Sequence, residues 1–182
     1  MNSARVFVVC GAVQHGKSTL AKYLARAASV PDGDCSSVIY REVARRMDIS
    51  EESLRQMPKE DIRKSLIAVG DELCCPDAGY LPKRLYYAEK VRSIAGVRRR
   101  TELDSFIEAV GQVDVVPIWI DRPDGPEIKD NTDFGLKDQC RILVENTGSA
   151  RDLESIAAAI CRFEELPKCA VRLSPLPLTV GL

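Results

Sequence analysis

The chain has 182 residues, of which 45% are hydrophobic and 29% charged, a balance typical of one compact domain. Its 26 lysines and arginines are matched by 27 acidic residues, which excludes a strong general attraction to nucleic acid. The first apolar run ends at Gly11 and is too short for a signal peptide, and no later run reaches membrane-spanning length. We therefore expect a cytoplasmic protein with no membrane partner.

The first half of the chain begins with a strand and continues mostly as helix. Residues 5–10 form a β-rich apolar run, which predicts a strand buried on both faces. Residues 17–28 have helical composition with one apolar face. We predict a second short strand at 37–40, helices across 41–73, and a loop at 74–82, where prolines and a glycine fall.

The second half alternates strands with helices. The predicted elements are strands at 91–95, 113–120 and 141–145, helices at 102–110 and about 150–164, a polar loop at 121–138 and a proline-rich surface tail. Pro117 predicts a bulge or a shorter strand, because proline has no amide donor. This alternation predicts an α/β protein with a mostly parallel, five-stranded sheet.

The positions of the cysteines and the single histidine limit which metal sites and catalytic sites the chain can form. The seven cysteines contain no C-x-x-C pair, and the adjacent Cys74 and Cys75 suit neither a zinc knuckle nor an ordinary disulfide. We expect them to be reduced and structural. His15 is the only histidine, which excludes histidine-rich metal sites and Ser-His-Asp catalysis elsewhere in the chain.

One segment between the first strand and the first helix carries a strong chemical signal. It matches G-x-x-x-x-G-K-[ST], whose glycines let successive backbone amides point at one phosphate beside a helix N-terminus. In this pattern Lys17 reaches the β- and γ-phosphates and Ser18 ligates Mg²⁺, whereas His15 occupies a variable position and is expected to lie over the loop. The predicted triphosphate site consists of Gly11, Ala12, Val13, Gln14, His15, Gly16, Lys17, Ser18 and Thr19.

Three further patches accompany this phosphate loop. They are KEDIR at 59–63 followed by VGD at 69–71, GVRRRTEL at 96–103, and IWIDRP at 118–123 continuing through 130–133 to VENTGS at 144–149. With them the chain resembles the phage-type deoxynucleoside monophosphate kinases, and more distantly the adenylate kinase and dephospho-coenzyme A kinase folds. The resemblance implies a three-layer P-loop kinase fold in one domain over 1–182. The parts it implies are a helical acceptor-binding insertion at about 41–88, a short lid at about 121–138 and a tail at 165–182.

The resemblance also implies roles for individual residues in an ATP-dependent kinase with ATP and Mg²⁺ as cofactors. Transfer of a phosphoryl group needs cations around its equatorial oxygens, and Arg98 and Arg122 are predicted to join Lys17 there. Arg63 and Arg99 are expected to hold the acceptor phosphate as a bidentate fork. The other predicted site residues are Tyr40 and Arg41 at the acceptor base, Asn146 and Gly148 on the adenine side, and Asp71 in catalysis.

The chain departs from the family at the end of its third strand. Many of these kinases carry an aspartate there that helps to hold Mg²⁺ through water. Ala95 and Gly96 fill those positions here, so metal binding falls to Ser18 and the phosphates, with Asp71 or Asp34 assisting.

Two alternative functions are open at this stage. Related kinases phosphorylate the hydroxymethyl group of 5-hydroxymethyluracil in phage DNA, and such an acceptor favours a carboxylate base, for which Asp71, Glu72 or Glu42 is available. The near-neutral charge argues against a DNA substrate. A non-catalytic nucleotide-dependent switch is less favoured, because D-x-x-G and N-K-x-D motifs are missing. The expected partner is the nucleotide acceptor, and a homodimer is allowed.

Overall fold

The computed structural model describes residues 5–111, 114–125, 134–163 and 171–174, which fold around one parallel sheet. Six strands lie in the order β2-β3-β1-β4-β5-β6, and every neighbouring pair is parallel. The strands are β1 (Val6–Cys10), β2 (Asp32–Asp34), β3 (Ser93–Val97), β4 (Val115–Asp121), β5 (Ile142–Glu145) and β6 (Val171–Leu173). The helices are α1 (Lys17–Ala28), α2 (Cys35–Arg46), α3 (Glu51–Gln56), α4 (Lys59–Cys74), α5 (Tyr80–Ala88), α6 (Arg100–Val110), α7 (Ala150–Cys161) and a 3-10 helix (Phe134–Gln139).

Strand β1 lies inside the sheet and is fully buried, which explains its unbroken apolar sequence. Val6 and Val8 face a core shared with α2, α5 and α6, whereas Phe7 and Val9 face a core shared with α1 and α7. Helices therefore cover both faces of the sheet, and the predicted α/β layering is confirmed. A smaller third core joins α2, α3 and α4 through Val43, Ala44, Leu54, Ile62 and Val69.

The predicted strand at 37–40 is wrong, and it is the largest difference from the sequence prediction. Those residues belong to α2, and the second strand is the short β2 just before it. Val38, Ile39 and Tyr40 have side chains that favour strands, but the carboxylate of Asp34 accepts the backbone amide of Ser36 at 2.9 Å and caps a helix. Local capping and the packing of Val38 into the core override the strand propensity.

The sheet has six strands rather than the predicted five. Strand β6 pairs with β5 through Ile142 and Val171 and lies inside the predicted tail at 165–182, so that part of the chain is a strand rather than a surface tail. Strand β4 pairs with β1 through Pro117 without the predicted bulge, but it begins at Val115, two residues later than predicted. The carbonyl of Pro117 accepts the Arg141 amide at 3.1 Å. Residues 126–133 of the predicted lid and most of the tail lie outside the described residues.

Smaller boundary differences follow from local chemistry. Helix α5 begins at Tyr80, inside the predicted 74–82 loop, and Pro82 fits because a first-turn residue needs no amide partner. Strand β3 lies two residues later than predicted, at Ser93–Val97, so that Gly96 is part of the strand. Among the described residues, none of the helices combines the length and apolar composition needed to cross a membrane.

Candidate functional site

Two glycines give the phosphate loop its close contact with the rest of the sheet. Gly11 has a φ of +142°, and a Cβ built there would lie 2.3 Å from the carbonyl oxygen of Ile120 in β4. Gly16 has a φ of +101°, and its Cβ would lie 2.7 Å from the amide nitrogen of Asn146. Both positions therefore require glycine, for backbone conformation and for space.

Lys17 opens helix α1 and folds back over the loop. Its ammonium group donates to the carbonyl of Ala12 at 2.6 Å. Within the part of the chain that the structure describes, no side chain caps the N-terminus of α1, and the first turn of the helix holds no acidic residue. The first-turn amides and the lysine therefore form a cationic cradle of the kind that binds phosphate groups.

Ser18 contacts Asp34, one of the two aspartates that the sequence offered as assistants in metal binding. Its hydroxyl donates to the Asp34 carboxylate at 2.7 Å, across the end of the sheet. The other carboxylate oxygen of Asp34 accepts the amide and hydroxyl of Ser36, at 2.9 and 2.7 Å. A fixed carboxylate thus stands beside the hydroxyl that the motif assigns to a metal, and both are hard oxygen donors of the kind Mg²⁺ prefers.

Gly96 makes room for this contact. It lies in β3, between β1 and β2, with a φ of +94°. A Cβ at Gly96 would lie 2.9 Å from the carboxylate oxygen of Asp34. The glycine in β3 therefore leaves room for the carboxylate of Asp34, which comes from the next strand. In the described residues, no group of three or more histidine, cysteine, aspartate or glutamate side chains forms a metal site.

Arg98 and Glu102 occupy the turn from β3 into α6. Glu102 is only 8% exposed, and its carboxylate accepts the backbone amide of Arg98 at 3.0 Å. Burial raises the pKa of Glu102, and the Arg98 amide partly opposes that shift. Arg98 is half-buried directly after β3, and within the described residues its guanidinium forms no ion pair. It therefore lies at the same sheet edge as the phosphate loop with its charge available.

The other predicted acceptor residues are dispersed over the helical region. Arg99 pairs with Asp71 of α4 at 3.2 Å. Tyr40 and Arg41 both lie on α2. Arg41 pairs with Glu89 at 2.5 Å. The Tyr40 ring lies under the guanidinium of Arg55 at 4.3 Å.

Two of the carboxylates considered as bases are held by arginines. Glu42 accepts hydrogen bonds from Arg45 and Arg46, which lower its pKa to about 2. Glu72 pairs with Arg46 at 2.7 Å, and that arginine lowers its pKa also. Arg63 is exposed on α4.

On the opposite side of the loop, β4 and β5 each contribute a contact at their ends. The Nδ1 atom of His15 accepts the backbone amide of Arg122 at 3.2 Å. The Asn146 side chain donates to the His15 carbonyl at 3.0 Å. Arg122, Gly148 and Gln14 are exposed around this part of the site. His15 is therefore tied to two other segments rather than only covering the loop.

Sequence reasoning overlooked three features of this site: the space at Gly96, the buried Glu102, and the two contacts of His15. One signal was available, because Asp34 followed two residues later by Ser36 is an N-cap pattern that marks where α2 begins. The other contacts depend on strand order and have no local signature.

No protein-family model and no curated protein matches this chain. Among solved structures, an unliganded sugar kinase from Janibacter sp. HTCC2649 is similar to it, with 16% sequence identity and a TM-score of 0.42. The match covers 86% of this chain and 93% of that chain. The function is therefore inferred from the site itself.

Proposed function

We propose that this protein is an ATP-dependent phosphotransferase that moves the γ-phosphate to a deoxynucleoside monophosphate. The observation that carries the proposal is the phosphate loop itself, with Lys17 over it and the Ser18 hydroxyl 2.7 Å from Asp34. This combination supplies an anion cradle and a place for a divalent cation side by side, which phosphoryl transfer requires.

The chain's own cations perform most of the chemistry in this proposal. Lys17 exchanges the Ala12 carbonyl for phosphate oxygens when the nucleotide binds. Arg98 and Arg122 stand at the ends of β3 and β4, on either side of β1, where they neutralise charge on the transferring group. Asn146 and Gly148, after β5, line the adenine side.

Ser18 and Asp34 would hold Mg²⁺ together with phosphate oxygens of the nucleotide. Mg²⁺ takes few protein ligands in such sites and keeps several waters, so a hydroxyl and one nearby carboxylate suffice. When bound, the ion neutralises phosphate charge. Asp71 pairs with Arg99, so we assign the assisting role to Asp34.

The state of the acceptor-side carboxylates supports a phosphate acceptor over a hydroxyl. Glu42 and Glu72 have lowered pKa values, which makes both poor proton acceptors, and Asp71 is engaged in an ion pair with Arg99. A monophosphate is already an anion and needs no base. It would compete with Asp71 for the Arg99 guanidinium, with Arg63 as the second cation. Tyr40 and Arg41 remain our candidates for contact with its base.

The test is transfer of labelled γ-phosphate from ATP to two sets of acceptors. One set is a panel of nucleoside and deoxynucleoside monophosphates, and the other is duplex DNA with and without 5-hydroxymethyluracil. We expect label on a deoxynucleoside monophosphate, loss of transfer in Lys17→Ala, and normal transfer in Lys22→Ala, which removes an exposed lysine of the same helix.

Other outcomes would overturn specific parts of the proposal. Label only on the modified DNA would replace the acceptor, and a folded Lys17→Ala protein with normal turnover would remove the phosphate loop from the chemistry. Tight ATP binding with no transfer to any acceptor would favour a nucleotide-dependent switch.

A further inference from the structure

The phosphate loop is tied to the ends of two strands through a single residue, His15. Its imidazole Nδ1 accepts the backbone amide of Arg122, just after β4, at 3.2 Å. Its backbone carbonyl accepts the side-chain amide of Asn146, just after β5, at 3.0 Å. The imidazole is largely enclosed, with 12% of the side chain exposed. One residue thus contacts both neighbouring segments, once by side chain and once by backbone.

These contacts close into a ring. The backbone amide of Asn146 donates to the Asp121 carbonyl at 2.7 Å, and Asp121 directly precedes Arg122. The Arg122 amide also donates to the Asp121 carboxylate at 3.0 Å. The other oxygen of that carboxylate, Oδ2, lies 3.5 Å from the Lys137 ammonium. A shift of the loop at His15 therefore changes hydrogen bonds at both strand ends.

The hydrogen bonding defines how the imidazole works in this ring. An Nδ1 atom that accepts an amide proton carries no proton itself, so in the neutral imidazole the proton lies on Nε2. The Asp121 carboxylate lies 3.2 Å from the same Nδ1, and both atoms accept the Arg122 amide. His15 thus contributes an acceptor at one defined position, a property that a side chain merely filling space would lack.

We propose that His15 is a positioning residue, which holds the Arg122 backbone and the Asn146 loop in register with the phosphate loop. Arg122 and Asn146 are then held at fixed positions relative to a phosphate group bound by the loop. The effect on catalysis rests on the proposed phosphotransferase activity, but the effect on the Arg122 amide does not. In this proposal His15 acts through those two residues and does not itself contact the reacting atoms.

The test compares three substitutions in the full-length protein. His15→Asn places an oxygen where Nδ1 lies, His15→Gln places its acceptor one bond farther out, and His15→Ala removes it. Exchange of the Arg122 amide with deuterium, followed by NMR without nucleotide, should be about tenfold faster in His15→Ala and His15→Gln. It should return close to the wild-type rate in His15→Asn.

Turnover provides the second readout. We expect His15→Ala and His15→Gln to lower kcat by about tenfold with little change in the KM for ATP, and His15→Asn to recover most of it. Combining His15→Ala with Arg122→Ala should cost less than the sum of the two, because in this proposal part of the effect of His15 on turnover passes through the position of the Arg122 side chain.

The exchange measurement separates this proposal from the proposed function, since it needs no turnover. An unchanged Arg122 exchange rate in His15→Gln, or His15→Asn behaving like His15→Gln in both readouts, would overturn it. If His15→Ala fails to fold, the comparison of exchange and turnover between His15→Asn and His15→Gln tests the proposal. A wild-type protein without transferase activity would refute the function and leave the exchange result to decide the role of His15.

Discussion

Among single residues, Asp34 has two tasks, one for each of its carboxylate oxygens. One carboxylate oxygen caps α2 by accepting the Ser36 amide, and the other faces the Ser18 hydroxyl. The cap holds the carboxylate in place, and Gly96 leaves the space it needs. The rigidity of a helix terminus therefore serves the site next to it.

Asp34→Asn separates these two tasks. Asparagine keeps an oxygen for the cap and removes the charge, so we expect the melting temperature to change little. The dependence of ATP affinity on Mg²⁺, measured by calorimetry with and without the metal, should weaken by about tenfold. An unchanged metal dependence in a folded Asp34→Asn protein would remove Asp34 from the metal site.

Glu102 links stability to pH through its burial. Its folded-state pKa is raised above the ordinary value of 4.5, so its contribution is most favourable when it is protonated and is lost as pH rises through the folded-state pKa. The melting temperature of wild type relative to Glu102→Gln should therefore fall as pH increases from about 4 to about 7.

A second variant tests the structural role of the same carboxylate. Glu102→Ala leaves the Arg98 amide without its acceptor and should cost about 1 to 3 kcal/mol while Glu102 is protonated, with a smaller cost as pH rises through its folded-state pKa. A difference between wild type and Glu102→Gln that is constant with pH would contradict the raised pKa.

At the scale of elements, the site depends on how closely β1 and β4 approach each other where the phosphate loop begins. Gly11→Ala would strain the backbone by about 1 to 3 kcal/mol and also press a Cβ against the β4 carbonyl of Ile120. Gly111→Ala is a matched control, because Gly111 also has a positive φ, +106°, but among the described residues its Cβ would meet no atom within 4 Å.

We expect thermal unfolding to show a clearly larger loss of stability for Gly11→Ala than for Gly111→Ala. Equal losses would mean that backbone conformation alone explains the glycine, without the contact between the loop and β4.

The elements also show what sequence can and cannot predict. Helix α1 was predicted with correct bounds, since an apolar strand, a glycine turn and an amphipathic helix are all local signals. The contact between Ser18 and Asp34 has no such signal. It depends on the order of three strands and on the space at Gly96.

The acceptor region was the least predictable part for a related reason. The pairing of Arg99 with Asp71 depends on how α4 rotates against the start of α6, which no short sequence window encodes. The predicted strand at 37–40 failed because side chains that favour strands, such as Ile39, also fit one face of a helix that begins at a strong cap.

At the scale of the whole molecule, the sheet carries a core on each face and encloses several thiols. Cys10 and Cys35 are buried in the same core, and Cys75 is exposed after α4. A hydrogen bond with Cys140, and then burial, raises the pKa of Cys10; burial raises that of Cys35. Thiols of this kind are inert, because the thiolate is the reactive form.

Thiol alkylation therefore reports on the integrity of the fold. Among the cysteines that the structure describes, we expect Cys75 to react first in the native protein, and Cys10 and Cys35 to react only at the rate of global unfolding, as followed by peptide mass spectrometry. Rapid alkylation of Cys10 without denaturant would contradict the packing of β1 at the centre of the sheet.

The proposed function requires that bound ATP gives its γ-phosphate to a nucleotide acceptor rather than to water. Phosphorus NMR of ATP, Mg²⁺ and a deoxynucleoside monophosphate mixed with the protein tests it in one spectrum. We predict ADP and the deoxynucleoside diphosphate in equal amounts, with no free phosphate formed at a comparable rate. ADP accompanied by inorganic phosphate alone, or unchanged ATP, would contradict the claim.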